Sequence, residues 1–513
     1  MNPQHSRWVR QAGLWIVILA AALLVAWNFY WVLTNEPEHD EAEHWHVAWL
    51  MHQGQTPFYD FFEHHSPLFW MLLGLYFKLF GVNYGLILAS RLFMILVFAG
   101  IIVLGWRLAR RWAGPAAAWI AVLGFPLLNL GYFHAHLTVR ADPLILLSLL
   151  AAMNLAAHLA DRRPWSGRDG YRLAGFFLCL AGAVAFSPRA GIPALTLFLA
   201  LGFLSRDALP RRRLFAVFLG GGVLVLIPTL LLALPYGLEV YLFWVFKFSA
   251  SVLPVFSPLI ILQDILRGTW VLLPLVLAGA LAPLWAPSLR RRSYALLLIM
   301  AGANLAGLWA STHPYMQHFL MTLPFVGLLA GPGYDQIMRV VRSVVKIPVA
   351  VPAVLFLAGG LLLLSAKTHI MWKWRAGGMD CRRWVECHRW LRERAGDTGT
   401  AAASTAFFHP LFVQQTYYYW FAVRYAGPTL LHMGRDFDAV SFENVRGARP
   451  VILHESFFLA WNLLGSSECR AWLKANYEPA PYKDYWVLKE RLAAAPPQTT
   501  PENPPENRDG SPP

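Results

Sequence analysis

The sequence predicts an all-α polytopic membrane protein of eleven transmembrane helices, with amphipathic helices in its first external loop and a small C-terminal external α/β domain. Three observations carry this expectation. Hydrophobic residues make up 57% of the 513 residues and charged residues only 14%, where a soluble domain has about 45–50% and about 25%. Apolar runs close to membrane-spanning length recur along the chain, a helix needing about 20 residues to cross the hydrocarbon. The basic residues fall in clusters between alternate runs. A mean hydropathy of +0.44 excludes an ordinary soluble enzyme, and it excludes a disordered chain, which needs low hydrophobicity.

The first run extends from Leu14 to Leu33, follows Arg7 and Arg10, and lacks a small-residue cleavage site. It reads as an uncleaved first span rather than a signal peptide. Further runs lie at 86–106, 115–133, 143–160, 173–187, 190–204, 214–234, 269–287, 295–310, 319–331 and 347–365. Basic clusters follow at Arg107/Arg110/Arg111, Arg162/Arg163/Arg168/Arg172, Arg206/Arg211/Arg212/Arg213, Arg290/Arg291/Arg292 and Arg339/Arg342/Lys346. With the N-terminus in the cytoplasm, eleven spans put every one of these loops inside, as the positive-inside rule requires. The net charge of +14 is then a topological signal. Nucleic-acid binding is not expected, because the basic residues are dispersed rather than forming one stripe. The loops 34–85, 134–142, 188–189, 235–268 and 311–318, and the chain after 366, fall outside. Leu68–Phe80 is apolar but too short to cross, and counting it would reverse the charge pattern. It is expected to be an amphipathic or re-entrant helix in the external surface layer.

Residues 1–365 thus form a membrane domain and 366–490 a mixed, polar external domain, in which CRRWVECHRWLRER reads as a helix and ARPVILHE as a short strand. The run DYWVLKERL is strand or helix. Residues 491–513 are Pro-rich and polar and are expected to be a disordered tail. Four cysteines are too few for a disulfide scaffold. Cys381, Cys387 and Cys469 nevertheless fall where an oxidising compartment permits a bridge. Positions 381 and 387 face different ways on a helix, so a bridge from either one to Cys469 is expected.

Chemistry concentrates in the external loops. After the first span comes Thr34-Asn35-Glu36-Pro37-Glu38-His39-Asp40-Glu41-Ala42-Glu43-His44-Trp45-His46. Thr34 or Asn35 can cap a helix whose first turn holds Pro37, and its acids suit the positive helix end. On it Asp40, Glu43 and His44 share one face, and His39, Glu43 and His46 another. A solvated, acid-capped surface helix would look the same. Ionisable groups at a bilayer boundary are, however, costly and often functional. The loop continues from Gly54, a helix C-cap, to Glu63-His64-His65-Ser66-Pro67, where the histidines can contact phosphate or a metal although no spacing is diagnostic for zinc. The second external loop carries Arg140-Ala141-Asp142-Pro143. There Asp142 begins a helix, with capping as its plainest role.

Asp40-Glu41, the Gly54-to-Pro67 stretch with Phe58-Tyr59-Asp60 and His65-Ser66-Pro67-Leu68, and Arg140-x-Asp142-Pro143 come in an order that resembles the C-type glycosyltransferase superfamily. The chain is similar to bacterial dolichyl-phosphate-mannose-type mannosyltransferases and to the aminoarabinose transferase that modifies lipid A, over roughly residues 10–335. The resemblance implies an integral protein of the bacterial inner (plasma) membrane. It would transfer a sugar, with inversion, from a polyprenyl-phosphate carrier to a glycolipid, polysaccharide or protein acceptor on the outer face. Asp40 is then the essential carboxylate, taking the acceptor proton or ligating a divalent metal, with Asp142 as its partner across the cleft. Glu41 is the weaker candidate, since adjacent helix positions point about 100° apart. A metal at Asp40 would find Glu43 and His44 as further ligands. The departing phosphate needs positive charge, for which His64, His65, Arg140, Arg267, His313 and His318 are candidates, with Tyr315 beside the last two. Lys247 reads better as an interfacial snorkelling residue. The family's basic residue before the Pro turn is replaced here by His64 or His65.

A transporter or flippase of a lipid-linked substrate is the alternative of another class. It would place charges near the bilayer midplane, whereas here they gather at one face and Arg91 is the main exception within a span. A non-catalytic scaffold whose C-terminal domain binds a partner is a third reading.

Overall fold

The computed structural model describes residues 3–252, 257–310, 321–375, 380–420, 423–437, 440–463 and 466–493. His313, Tyr315 and His318, and the tail from 494 onward, lie outside the described residues.

The chain opens with α1 (Pro3–Thr34), the short surface helices α2 (His39–His52) and α3 (Leu68–Phe80), and α4 (Gly85–Ala109). Next come α5 (Pro115–Leu128), α6 (Leu130–Ala135), α7 (Asp142–Asp161), α8 (Gly167–Phe186), α9 (Gly191–Leu204) and α10 (Arg211–Ala233). An irregular stretch follows, in which α11 (Leu238–Tyr241) and α12 (Ser249–Ser251) are joined by a π-helical turn over Leu242–Phe248. The bundle ends with α13 (Pro258–Thr269), α14 (Leu273–Leu281), α15 (Arg292–Ala310), α16 (Leu323–Val344) and α17 (Ala350–Arg375).

Among the described residues, 6 helical stretches are long and apolar enough to cross a membrane: Gly85–Ala109, Asp142–Asp161, Gly167–Phe186, Arg211–Tyr236, Leu259–Leu284 and Ala350–Met371. The predicted run 115–133 is not continuous. Asn129 ends α5 and caps α6, its Oδ1 accepting from Tyr132 N at 2.9 Å, because a short amide side chain competes with the helical ladder. The 13 residues of α3 reach about 20 Å, short of the about 30 Å hydrocarbon thickness. One face buries Phe69, Trp70, Leu73 and Phe77 while Met71, Leu75, Leu79 and Phe80 point outward.

α17 continues past residue 365 to Arg375, and α18 (Cys381–Ala395) then starts the sheet-containing C-terminal region under an Asp380 cap. A five-stranded sheet of order β2-β1-β3-β5-β4 follows, built from β1 (Thr400–Ala402), β2 (Gln414–Gln415), β3 (Ile452–His454), β4 (Tyr477–Pro479) and β5 (Tyr485–Leu488). β1 is parallel to β2 and β3, whereas β5 is antiparallel to β3 and β4. The run DYWVLKERL divides into strand β5 and the short helix Lys489–Ala493, so the first residues of the predicted tail are helical.

The expected disulfide does not form, and all four cysteines are free. Cys387 packs with Ala401, Ile452 and Val487 on one side of the sheet, and Cys469 packs with Ala402, Leu453 and Leu488 on the other. Alternate strand residues face opposite ways, so the sheet itself separates the two thiols.

The two domains share one core. Trp384, Leu411, Phe412 and Trp420 belong to the same apolar cluster as Trp45, Phe62 and Trp70.

Candidate active site

The site is built on α2. Glu38 is its N-cap, and the Glu38 N–H donates to Glu41 Oε2 at 3.0 Å in a capping box. Thr34 and Asn35, expected to cap this helix, instead finish α1, with Asn35 N donating to Trp31 O at 2.8 Å. This start sends the acids of α2 in three directions.

Asp40 points to the loop between α6 and α7 and pairs with Arg140. Arg140 Nε lies 3.2 Å from Asp142 Oδ2, so one buried guanidinium bridges the acid after α1 and the acid that opens α7. Ala141, not Asp142, is the N-cap of α7, so the Asp142 carboxylate has no capping duty. The Asp40 side chain is 34% exposed and that of Asp142 11%.

Glu41 points inward. Its carboxylate accepts from Arg91 Nη2 at 2.7 Å, from Arg91 Nε at 3.2 Å and from Val139 N at 3.2 Å. Arg91 also donates to Leu33 O at 3.1 Å and Asn35 O at 2.9 Å. The arginine that looked exceptional inside a span therefore pins the end of α1, the start of α2 and the loop ahead of Arg140 to α4.

Glu43, one turn after Asp40, faces the Glu63-His64-His65 turn. His65 Nδ1 is 2.8 Å from Glu63 Oε1 and 3.3 Å from Glu43 Oε1, and the His64 and His65 N–H groups donate to Glu63 Oε1 at 2.8 and 3.3 Å. Burial alone would lower the His65 pKa, but hydrogen bonds to the two carboxylates outweigh it and raise it to about 9. The Glu63 pKa, which burial would raise, is instead driven down by its histidine hydrogen bonds. Burial, and then the Glu63 charge, push Glu43 up. Burial, then the charge of His65 and more weakly that of Arg189, hold His64 down to about 4. His65 is accordingly the cation of this cluster and His64 a neutral imidazole.

Asp40, Glu43 and His44 do not converge as a ligand set. Asp40 turns to Arg140, Glu43 to His65, and His44 Nδ1 accepts from Trp70 Nε1 at 2.9 Å. Glu63, His64 and His65 are the group of metal-ligand side chains that comes together among the described residues, with one potential donor atom each, all within 4.8 Å of one another. Arg267 sits on the exposed last turn of α13, where the adjoining Gly268 lies against Leu128 O and Asn129 at the α5–α6 break. Lys247 is exposed on the π-helical turn.

Two contributors escape a reading of the sequence. Arg189, whose charge reaches His64, lies in the short turn Pro188–Ala190 between α8 and α9; a basic residue in a loop expected to face the side that lacks them was its signal. The second contributor is the segment 414–420 of the sheet-containing region. Phe62 N donates to Tyr418 O at 2.8 Å, Tyr418 Oη to Phe58 O at 2.9 Å and Trp420 Nε1 to Phe62 O at 3.3 Å. These bonds hold the loop between α2 and α3 in a turn where Phe58 has a φ of 73°. A bulky residue rarely adopts that conformation, which persists where surrounding contacts fix it. No local pattern announces a contact across some 360 residues.

No known family profile and no curated protein sequence matches the chain. Among solved structures it is similar to ArnT from Cupriavidus metallidurans. The apo state shares 17% identity over 88% of this chain and 95% of that one, with a TM-score of 0.57. The form bound to undecaprenyl phosphate shares 17% over 87% and 94%, with a TM-score of 0.55. The Archaeoglobus fulgidus oligosaccharyltransferase tethered to an acceptor peptide is more distant, with 14% identity, 75% of this chain, 57% of that one and a TM-score of 0.48. The ArnT likeness shows a common fold: a helical membrane domain followed by a small domain containing a sheet. The resemblance read from the sequence motifs is thus met at the level of the fold.

Proposed function

We propose that the chain transfers a sugar from a polyprenyl-phosphate carrier to a hydroxyl acceptor at the external membrane boundary, with inversion. The observation that carries this reading is the Asp40–Arg140–Asp142 bridge, which joins the two acids that the motif order had paired from loops about 100 residues apart. The overall likeness to ArnT, crystallised with undecaprenyl phosphate, supports a lipid-phosphate carrier as donor.

Arg140 is held by carboxylates on both sides. An arriving phosphate competes for the same guanidinium, which matches phosphate oxygens in a two-pronged fashion. Drawing Arg140 toward the phosphate frees the partly exposed Asp40 to accept the proton of the acceptor hydroxyl. The acceptor oxygen then attacks the anomeric carbon, the bond to the phosphate oxygen breaks, and polyprenyl phosphate leaves with the electron pair. Arg140 faces the charge that develops on it. Asp142 keeps Arg140 from swinging away. Glu41 is a positioning residue in this scheme, since its carboxylate is already filled by Arg91 and Val139.

The Glu63-His64-His65 turn fits a divalent cation. Glu63 Oε2 is buried without a hydrogen-bond partner among the described residues, and mixed imidazole and carboxylate donors suit such ions. Glu63 and the neutral His64 would hold the ion, with His65 as a third ligand once it gives up its proton, and the ion when bound supplies Lewis acidity toward phosphate oxygens.

The test is Asp40→Asn and Asp142→Asn in a reconstituted transfer assay with a polyprenyl-phosphate sugar. Transfer by Asp40→Asn falls by about 10²–10⁴-fold, the range for a lost general base, with membrane abundance unchanged because the side chain is partly exposed. Asp142→Asn lowers turnover without loss of protein. Normal turnover by well-expressed Asp40→Asn would remove the assignment.

A further inference from the structure

α7 has a second charged end. Asp142 opens it at the site just described, and Asp161 closes its 20 residues, about 30 Å away and so at the opposite boundary of the bilayer. There a cavity of about 430 Å³ is lined by Ala160, Asp161, Arg163, Arg291 and Arg292, within the size range of small-molecule sites. Its walls are fixed. Arg163 Nε donates to Asp207 Oδ1 at 2.7 Å and Arg163 Nη1 to Leu159 O at 2.9 Å. Arg292 grips Asp207 through two bonds of 2.6 Å. Asp161 Oδ1 accepts from Ser293 N at 3.0 Å. These bonds tie together the end of α7, the α9–α10 loop and the start of α15. They leave exposed Arg291 with no carboxylate partner among the described residues, and the cavity with more guanidinium than carboxylate charge.

We propose that this cavity binds the phosphate of an anionic membrane lipid, with Arg291 as the principal contact and Arg292 beside it. Two features favour a lipid over a soluble phosphate. The cavity lies at a bilayer boundary, where basic pockets between spanning helices take anionic headgroups. Next to it α9 and α15 pack together and turn apolar side chains outward, Leu199 and Phe203 from α9 and Ile299 from α15, which gives acyl chains a surface to lie on. The site is independent of Asp40 and of the proposed transfer reaction.

The test measures lipid retained by the full-length purified protein, by native mass spectrometry, after reconstitution in phosphatidylcholine with and without phosphatidylglycerol. The expected result is preferential retention of phosphatidylglycerol. Arg291→Gln weakens it by about fivefold, the effect of one basic residue near an anionic surface, and Arg291→Lys keeps most of it. Arg212→Gln, an equally exposed arginine at the start of α10 that does not line the cavity, leaves retention unchanged. Equal losses from Arg291→Gln and Arg212→Gln would overturn the proposal in favour of a diffuse basic surface. Displacement of the lipid by millimolar inorganic phosphate would overturn it in favour of a soluble anion. Because the exposed Arg291 side chain makes no hydrogen bond or ion pair among the described residues, an unchanged melting temperature confirms that any loss is local.

Discussion

The two ends of α7 carry the same chemical groups in opposite surroundings. At Asp142, Arg140 and Asp142 itself lie buried, and the neighbouring Arg91–Glu41 pair has side chains only 2% exposed on both sides. At Asp161, Arg163 and Arg292 share Asp207, whose side chain is 50% exposed. Burial decides what such pairs are for. A buried charge that loses its partner is costly, so a buried pair fixes geometry. An exposed pair is solvated and screened by salt, and its partners remain available to other anions. The Asp142 end is therefore built to hold its groups in place, and the arginine end to present charge.

The largest stability change should come from the buried pair. Arg91→Leu leaves Glu41 as an uncompensated buried charge and removes donors from Leu33 O and Asn35 O, at a cost of about 3–5 kcal/mol. Thermal unfolding of the detergent-solubilised protein should show a large drop, with poor membrane abundance. Combining Glu41→Gln with Arg91→Met, which removes both charges, should recover much of it. Unfolding of Arg91→Leu at the parent temperature would show that the pair does not hold the loop, and the comparison would lose its first half.

This pair also marks where the sequence could be read and where it could not. The helical runs, the strand at Ile452–His454 and the helix at Cys381–Ala395 follow from periodicity and composition, which are local properties. Asp40, Arg140 and Asp142 were singled out because loop topology places them at one boundary, although their joining through a single guanidinium was not legible. The role of Glu41 was hidden because its partner lies 50 residues away inside an apolar helix. The face taken by Cys469 was equally hidden, since it depends on sheet order, which pairs β3 with β5 and not with its neighbour β4. Helix phase could tell that Asp40, Glu41 and Glu43 diverge. It could not tell which partner waits in each direction.

A smaller effect is expected from pH at the Glu63–His65 turn. With its pKa raised to about 9 from the usual 6.5, His65 contributes stability that is complete below the usual value and lost as the pH climbs through 9. Glu63, shifted down, contributes stability that is complete above the ordinary carboxylate range and lost only in acid. The turn should therefore hold best between weakly acidic and neutral pH. Melting temperature should fall as pH rises from neutrality to about 9, and His65→Asn should flatten that limb while leaving the acid limb. The change is modest, because the His65 side chain is 31% exposed and solvent screens its charges. An unchanged alkaline limb in His65→Asn would show that another group titrates there.

The smallest stability effect, and the sharpest probe of the contrast, is Asp207→Asn. Asp207 receives three guanidinium hydrogen bonds, from Arg163 and Arg292, whereas Glu41 receives two, both from Arg91. Counting bonds would rank it as the stronger anchor. Exposure argues the reverse: screened by water and salt, its loss should leave the melting temperature unchanged at moderate ionic strength and produce only a small fall at low salt. The same substitution removes a negative charge beside the cavity and releases Arg163 and Arg292 to other anions, so retention of phosphatidylglycerol should rise. A large loss of stability on Asp207→Asn, at high salt as well as low, would mean that the arginine end is also a structural clamp. In that case exposure does not separate the two ends of α7, and their difference would have to be sought in the loops that cover Asp142 and leave Asp161 bare.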